Sequence, residues 1–485
     1  MSLKYRNKIR LKKDIFKNLI IIDNVLSVTL VGSFWESRIS RDFSDIDIVI
    51  ILKKFSKKTY DQCLSKIRNI KLKKYGLENL EIFVNPTFGP LKFNNKENIV
   101  FHTMIYDVHG HINHVIKSPF TCYEWERSTN YIGKSLKEIF PVGKIQLVDF
   151  LKSRRSINSY LNNIKENYIS YQKYFFKKNK YKLKNKKFKI NDRHKIEFSF
   201  HLCKFLIINY YKFEQQTNKL PSKNKIKVIF TKIFGKQHND FFKKFEILKF
   251  LKKEKKYESK IDIFIFLQKF IRNFQKYLEN YEKQDIIFLR HAKTKCNNGT
   301  FLGIGRDPDI INRKKVYKKL NYLKKNKTIF VYSSTLKRSI STAETLIKKE
   351  DIILNNLLME KNYGLAEGLT FSQFKKKYPG IIINWSKNKD PRFPLGENDS
   401  DILKRIKFFE KILKKNIRKN SNQSTNIIVT HNALLRCLIG NIFNIPKYLW
   451  VKIIINHIEP LNFIFKDKKI IPNINRINLF KNLAN

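Results

Sequence analysis

The hydrophobic period of the chain changes twice along its length, which no single layer of secondary structure accommodates. Residues 1–148 carry short β-branched runs, "VLSVTLVG", "DIDIVIIL" and "LEIFVNP", separated by turn-forming polar residues. From 149 to 283 there is almost no Gly or Pro, and Ile157, Leu161, Ile164, Tyr168 and Tyr171 recur at helical spacing. From 284 to 485 strand-like runs ("DIIFLRH", "TIFVYSS", "NIIVTHN") alternate with helical patterns, which predicts a parallel sheet covered on both faces. The length of 485 residues agrees with this partition, since roughly 100–200 residues per domain gives about three domains.

Charge narrows the function less than it first suggests. A formal net charge of +58 would attract a phosphate backbone. However, Lys, Asn, Ile and Phe all have A/T-rich codons, so base bias alone would put lysine on every solvated face. With 42% apolar and 14% aromatic residues the chain is expected to fold. The run "YQKYFFKKNKYKLKNKKFKI" (171–190) holds nine lysines and no acid; it reads as a solvated helix end and linker, with a phosphate-binding strip as the rival. "IDIFIFLQKFIRNF" (261–274) reads as a core helix rather than a membrane-surface one. Five scattered cysteines with no CxxC pair argue for reduced thiols; Cys296, close after Arg290-His291, reads as a packed thiol, with a redox handle as the rival. There is no signal-type cleavage region, and no apolar run reaches the ~18 residues of a membrane span. The expected setting is soluble and cytoplasmic, without membrane insertion.

Beyond the carboxyl ends of parallel strands is where such sheets place ligands. There the C-terminal region offers Arg290 and His291, Arg338 after "YSSTLK", Glu360 in "MEKNYGLAEG" and His431 in "VTHN". Two guanidinium groups can grip a phosphate dianion, a histidine can attack phosphorus, and a nearby glutamic acid can protonate the leaving oxygen. The motifs "LRHAKTKCN", "YSSTLKRSISTAETL", "LMEKNYGLAEGL", "PLGENDSDILKRI" and "IVTHNALLR" follow in order. Over about 200 residues this segment resembles the histidine phosphatase (phosphoglycerate-mutase-like) superfamily. The resemblance implies that His291 is phosphorylated, that Arg290, Arg338 and His431 surround the phosphoryl group with Asn297 as a further phosphate ligand, and that Glu360 donates the proton. Ala292 and Asn432 stand where the common pattern has glycine. The mutase branch is disfavoured because no substrate-enclosing insertion is obvious.

Far upstream, Gly32-Ser33 ends one apolar run and Asp45-Ile46-Asp47 opens the next after eleven intervening residues. Alternate residues of a strand share a face, so Asp45 and Asp47 project together and can hold Mg²⁺ for phosphoryl transfer. Gly32 lets the backbone approach a triphosphate, and Ser33 can donate to it. Over residues 20–120 the pattern resembles the DNA-polymerase-β-like nucleotidyltransferase superfamily. That family usually adds a third carboxylate: Glu81 in "NLEIFVN" fits, and Asp107 in "MIYDVHG" is the rival. His102, His109, His111 and His114 are four of the ten histidines; a zinc site is one reading of them, and strand residues lining the substrate cleft are the favoured one.

The expected fold class is therefore multidomain α/β. A small mixed-sheet nucleotidyltransferase domain (1–148) precedes a helical substrate-binding module (149–283) and a three-layer α/β/α histidine phosphatase domain (284–485). The expected function is bifunctional: Mg²⁺- or Mn²⁺-dependent transfer of a nucleoside monophosphate from an NTP to a small-molecule acceptor, and metal-free hydrolysis of a phosphomonoester. The alternatives are an RNA-end nucleotidyltransferase and phosphatase, and a nucleotide-sensing module that regulates a phosphatase.

Overall fold

The computed structural model describes residues 5–36, 45–89, 98–177, 180–254, 256–259, 262–281, 283–324, 328–417 and 424–483. Two compact units emerge, Met1–Asn280 and Tyr281–Leu483.

In the first unit, β1 (Val25–Val31), β2 (Ile46–Leu52), β3 (Glu81–Asn85), β4 (Asn98–Asp107) and β5 (Tyr131–Gly133) form one mixed sheet in the order β3-β4-β2-β1-β5. β2 is parallel to β4 and antiparallel to β1. The strands are apolar almost throughout: Ile46, Ile48, Val49, Ile50, Ile51 and Leu52 are all fully buried, as expected of a central strand covered on both faces. Helices Asp192–Gln215, Lys223–Phe234, His238–Lys253 and Ile263–Glu279 follow. The last buries Phe266, Leu267, Phe270, Ile271, Phe274 and Leu278, an amphipathic core helix as the spacing predicts.

One stretch of the expected helical module is not helical. The helix Ile157–Lys165 takes up Ile157, Leu161 and Ile164, but Tyr168 and Tyr171 lie on β6 (Tyr168–Lys177), which pairs along its whole length with β7 (Lys180–Lys189) in an antiparallel ribbon. The lysine run is thus neither helix end nor linker. Six of the ten residues of β6 are aromatic or β-branched, and one ribbon face packs Tyr174, Phe176 and Tyr181 against Phe55; that packing overrides the helical spacing. The opposite face carries Tyr171, Lys173, Phe175 and Lys177 paired with Lys186, Lys184, Lys182 and Lys180.

The second unit is a six-stranded sheet in the order β10-β9-β11-β8-β12-β13, built from β8 (Gln284–Arg290), β9 (Ile329–Ser333), β10 (Ile353–Leu354), β11 (Thr425–Thr430), β12 (Leu461–Lys466) and β13 (Lys469–Pro472). β10, β9, β11 and β8 are parallel, and β12 turns antiparallel against β8. Among the described residues, no helix is long and apolar enough to cross a membrane.

Candidate active sites

Register assembles the C-terminal site. Arg290 of β8 is level with Thr430 of β11, and Val429 with Ser333 of β9, so His291, His431 and Ser334 emerge side by side. The rings of His291 and His431 are 5.1 Å apart between centroids. The main-chain N–H of His291 donates to Thr430 O (2.9 Å). Its Nδ1 lies 2.7 Å from the Ala292 carbonyl oxygen. A carbonyl only accepts, so the proton sits on Nδ1 and Nε2 keeps its lone pair. Burial, Arg338 and Arg290 together hold His291 well below the ordinary imidazole range. The ring is therefore neutral at physiological pH, with the Nε2 lone pair available for chemistry.

The surrounding groups are buried and held in place. Arg338, fully buried, donates to Gly303 O (2.7 Å), Arg306 O (3.0 Å) and Asp307 Oδ1 (3.2 Å). Arg290 donates to Ile455 O at 2.9 Å. Burial lowers the Arg290 guanidinium to about 10 although Glu360 opposes the shift, so it stays cationic. His431 sits 2.8 Å from Ser334 Oγ through Nε2. Burial, then His291 and the arginines, hold its ring well below the ordinary value. Glu360 accepts from the Ala433 N–H at the start of the helix Asn432–Ile442 (3.1 Å), where the helix dipole favours a carboxylate. Arg290 Nε, Arg338 Nε and His431 Nδ1 are buried without a hydrogen-bond partner among the described residues. An unmet buried donor costs about 1–3 kcal/mol, which a bound anion would offset. Asn297 is exposed on the cleft wall, its Oδ1 accepting from the Thr294 N–H (2.8 Å).

Sequence reasoning missed His457. Its Nδ1 donates to the His291 carbonyl (2.7 Å), its ring centroid is 5.5 Å from that of His291, and it lines the same cleft. The neighbouring Ile458 N–H donates to Arg290 O (3.0 Å) and takes φ +48°, a rare conformation for a β-branched residue. His457 and Ile458 thus clamp the backbone of His291 and Arg290, and Ile455 holds the Arg290 side chain. A lone His in "IINHIEP" gives no local signal for this; only the pairing of β12 with β8 brings it there.

At the N-terminal site, Val31 pairs with Asp47 and Asp47 with His102. Gly32 follows at φ +82°, where a Cβ would stand 2.3 Å from Asp47 Oδ2; only glycine leaves that oxygen accessible. Asp45 and Asp47 line one pocket with Gly32, while Ser33 starts the short helix Ser33–Glu36 and is exposed. Two carboxylates one residue apart on a strand, beside a bare glycine, fit a divalent cation. Residues 37–44 of the interval lie outside the described residues.

The sheet does not bring the third acid. Asn85, not Glu81, is level with His102 and Asp47, leaving Glu81 four residues, about 13 Å, along the strand. Asp107 pairs with Leu52 at the opposite strand end and caps the helix Val108–Lys117 by accepting from the Gly110 N–H (2.7 Å). The neighbouring position is filled by His102, whose Nδ1 is 2.9 Å from Asp47 Oδ1 and whose Nε2 is 2.7 Å from the Thr87 carbonyl oxygen. Both nitrogens face acceptors, so both donate. Burial opposes the charge, but Asp47, Thr87 O and Asp45 outweigh it and raise the pKa. His109, His111 and His114 lie on a helix and not on a strand or hairpin. Among the described residues, no group of three or more His, Cys, Asp or Glu is placed to hold a metal ion; His102 and His114 line the pocket instead.

Comparison with known proteins recognises both regions. The family model "Histidine phosphatase superfamily (branch 1)" covers residues 286–470, and "Nucleotidyltransferase domain" covers 9–106. A 2,3-bisphosphoglycerate-dependent phosphoglycerate mutase of Buchnera aphidicola subsp. Cinara cedri is 30% identical over 224 residues, 38% of this chain and 95% of that protein. Fructose-2,6-bisphosphatase of Saccharomyces cerevisiae is 30% identical over 189 residues, 37% of this chain; the match spans 40% of the yeast protein's length. The native structure of a mycobacterial glucosyl-3-phosphoglycerate phosphatase aligns at 20% identity with a TM-score of 0.35, covering 40% of this chain and 98% of that one. The chain is a member of the histidine phosphatase superfamily whose N-terminal region carries a nucleotidyltransferase domain, so that both of its recognised parts belong to enzyme families.

Proposed function

We propose that the chain is a bifunctional enzyme that hydrolyses a phosphomonoester through a phosphohistidine and transfers a nucleoside monophosphate from an NTP to an acceptor. The observation that carries the first half is the His291 ring: Nδ1 is tied to the Ala292 carbonyl, so Nε2 is left to attack. In this reading Arg290, Arg338 and Asn297 bind the phosphoryl oxygens, and His431, braced by Ser334, completes the cradle. Glu360 protonates the departing alkoxide, then takes the proton of the water that cleaves the phosphohistidine. No metal takes part. The yeast and Buchnera relatives are both named for bisphosphorylated compounds; for this chain the reading is a phosphomonoester.

For the second half, Asp45 and Asp47 hold Mg²⁺ or Mn²⁺ and Gly32 and Ser33 receive the triphosphate. The bound cation would neutralise the triphosphate and polarise its α-phosphorus. His102 orients the Asp47 carboxylate, and the pocket of about 330 Å³ beside it suits a small-molecule acceptor. The test is a His291→Ala protein incubated with Mg²⁺, mixed NTPs and a metabolite extract, read by mass spectrometry. A nucleotide conjugate that disappears in Asp45→Asn supports transfer; none, with NTP binding demonstrated, favours nucleotide sensing.

A second reading, transfer to RNA ends, draws on the ribbon. Lys173, Lys177, Lys180, Lys182, Lys184 and Lys186 share one face with Tyr171 and Phe175, a combination suited to single strands. It predicts RNA-stimulated activity with steep salt dependence.

A further inference from the structure

The phosphatase cleft is far larger than a phosphate needs. Its volume is about 890 Å³, the size that encloses a drug-sized molecule. One end holds Arg290, His291, Glu360 and His457; beyond it the wall is formed by Phe301, Phe371, Ile382, Trp385, Phe393 and Tyr448. Phe393 anchors that wall, with ring centroids 5.4 Å from Trp385, 5.0 Å from Phe374 and 5.6 Å from Phe301. Its rim includes Phe371 and Tyr448, which are 54% and 47% exposed.

Two of the four cationic groups lining the cleft beyond Arg290 are already ion-paired. Lys361 Nζ is 2.6 Å from Asp399 and Lys447 Nζ is 2.8 Å from Asp390. Arg436 donates through Nε to Ile453 O and lies in the field of Glu360, at the catalytic end. Lys293 is exposed at the mouth. A second phosphate on the substrate would therefore meet ion pairs and aromatic rings, with two acids beside the two lysines. A ring-bearing apolar group would meet complementary surface.

Building on the phosphatase reading above, we propose that this outer half is an apolar subsite, and that the substrate is a monophosphate ester of an apolar, ring-bearing alcohol rather than a bisphosphate. The leaving alcohol packs against Phe371, Trp385 and Tyr448 while the phosphoryl group sits at His291.

The test compares 2-phenylethyl phosphate with glycerol 3-phosphate, both esters of primary alcohols, so that leaving-group acidity differs little; fructose 1,6-bisphosphate is the third substrate. The full chain should favour the phenylethyl ester by about 10- to 100-fold in kcat/KM, the range expected for burying one aromatic ring. In Phe371→Ser/Tyr448→Ser, two exposed positions whose loss leaves the core intact, that preference should fall toward parity. Parity in the natural chain, a preference for the bisphosphate, or a preference unmoved by the double substitution would overturn the proposal. Hydrolysis of none of the three sinks the phosphatase reading, and the subsite with it.

Discussion

The two sites solve the same problem, handling phosphate, with different degrees of completeness. At the C-terminal site, adjacent parallel strands end level with one another, and backbone carbonyls fix both the His291 ring and the Arg338 guanidinium before any ligand arrives. At the N-terminal site, Asp45 and Asp47 are placed by one strand, and the facing residue is a doubly hydrogen-bonded histidine instead of a third carboxylate. Preorganisation by buried dipoles makes a site legible without its ligand. A carboxylate pair held beside a positive imidazole depends on what binds to complete it.

The strongest way to break this comparison is to remove one site and watch the other. His291→Ala should reduce phosphomonoester hydrolysis at least about 10³-fold and leave nucleotidyl transfer unchanged, whereas Asp47→Asn should do the reverse. Loss of both activities in either variant would show that the sites are not independent.

Gly32→Ala is the next largest effect. Its Cβ would collide with Asp47 Oδ2 in a backbone conformation that L-residues avoid, so transfer should fall by about 10²-fold or more and the melting temperature should drop by roughly a few °C. Near-normal transfer would mean that the strand end opens more than this close approach suggests.

His457→Ala sharpens the account of the other site. If His457 positions His291 through its carbonyl, steady-state kinetics should show kcat down by roughly 10-fold with KM little changed. A rise in KM alone would assign it to substrate binding. The smallest effect is expected for Glu81→Gln: because Asn85 and not Glu81 is level with Asp47, transfer should stay within about two-fold, and a large loss would require a different alignment of β3.

Sequence exposed what local chemistry dictates and concealed what pairing dictates. Arg290, His291, Arg338, Glu360 and His431 stand in motifs whose residue types name their chemistry, and the structure gathers them at one end of one sheet. Asp45 and Asp47 were legible by strand alternation. His457 was not, and His102 was legible only as a strand residue lining the cleft, because each acts through a neighbour set by register, 166 and 55 residues away in sequence respectively. The ribbon 168–189 was misread for a related reason: Tyr168 and Tyr171 continue the helical spacing of the segment before them, and only the packing of the aromatic face against Phe55 overrides it. Glu81 fitted its local apolar-acid-apolar pattern and still lies at the wrong level, since a pattern gives the face of a strand and not the height along it.

The most direct test of the account is to trap the intermediate. The chain carrying Glu360→Gln, which should slow loss of phosphate from the histidine, would be mixed with a ³²P-labelled phosphomonoester that it hydrolyses, quenched in alkali and mapped by peptide mass spectrometry. The account predicts one acid-labile phosphate, on His291. Phosphate on another residue, or turnover at the same rate with no phosphoenzyme at any time, would contradict it.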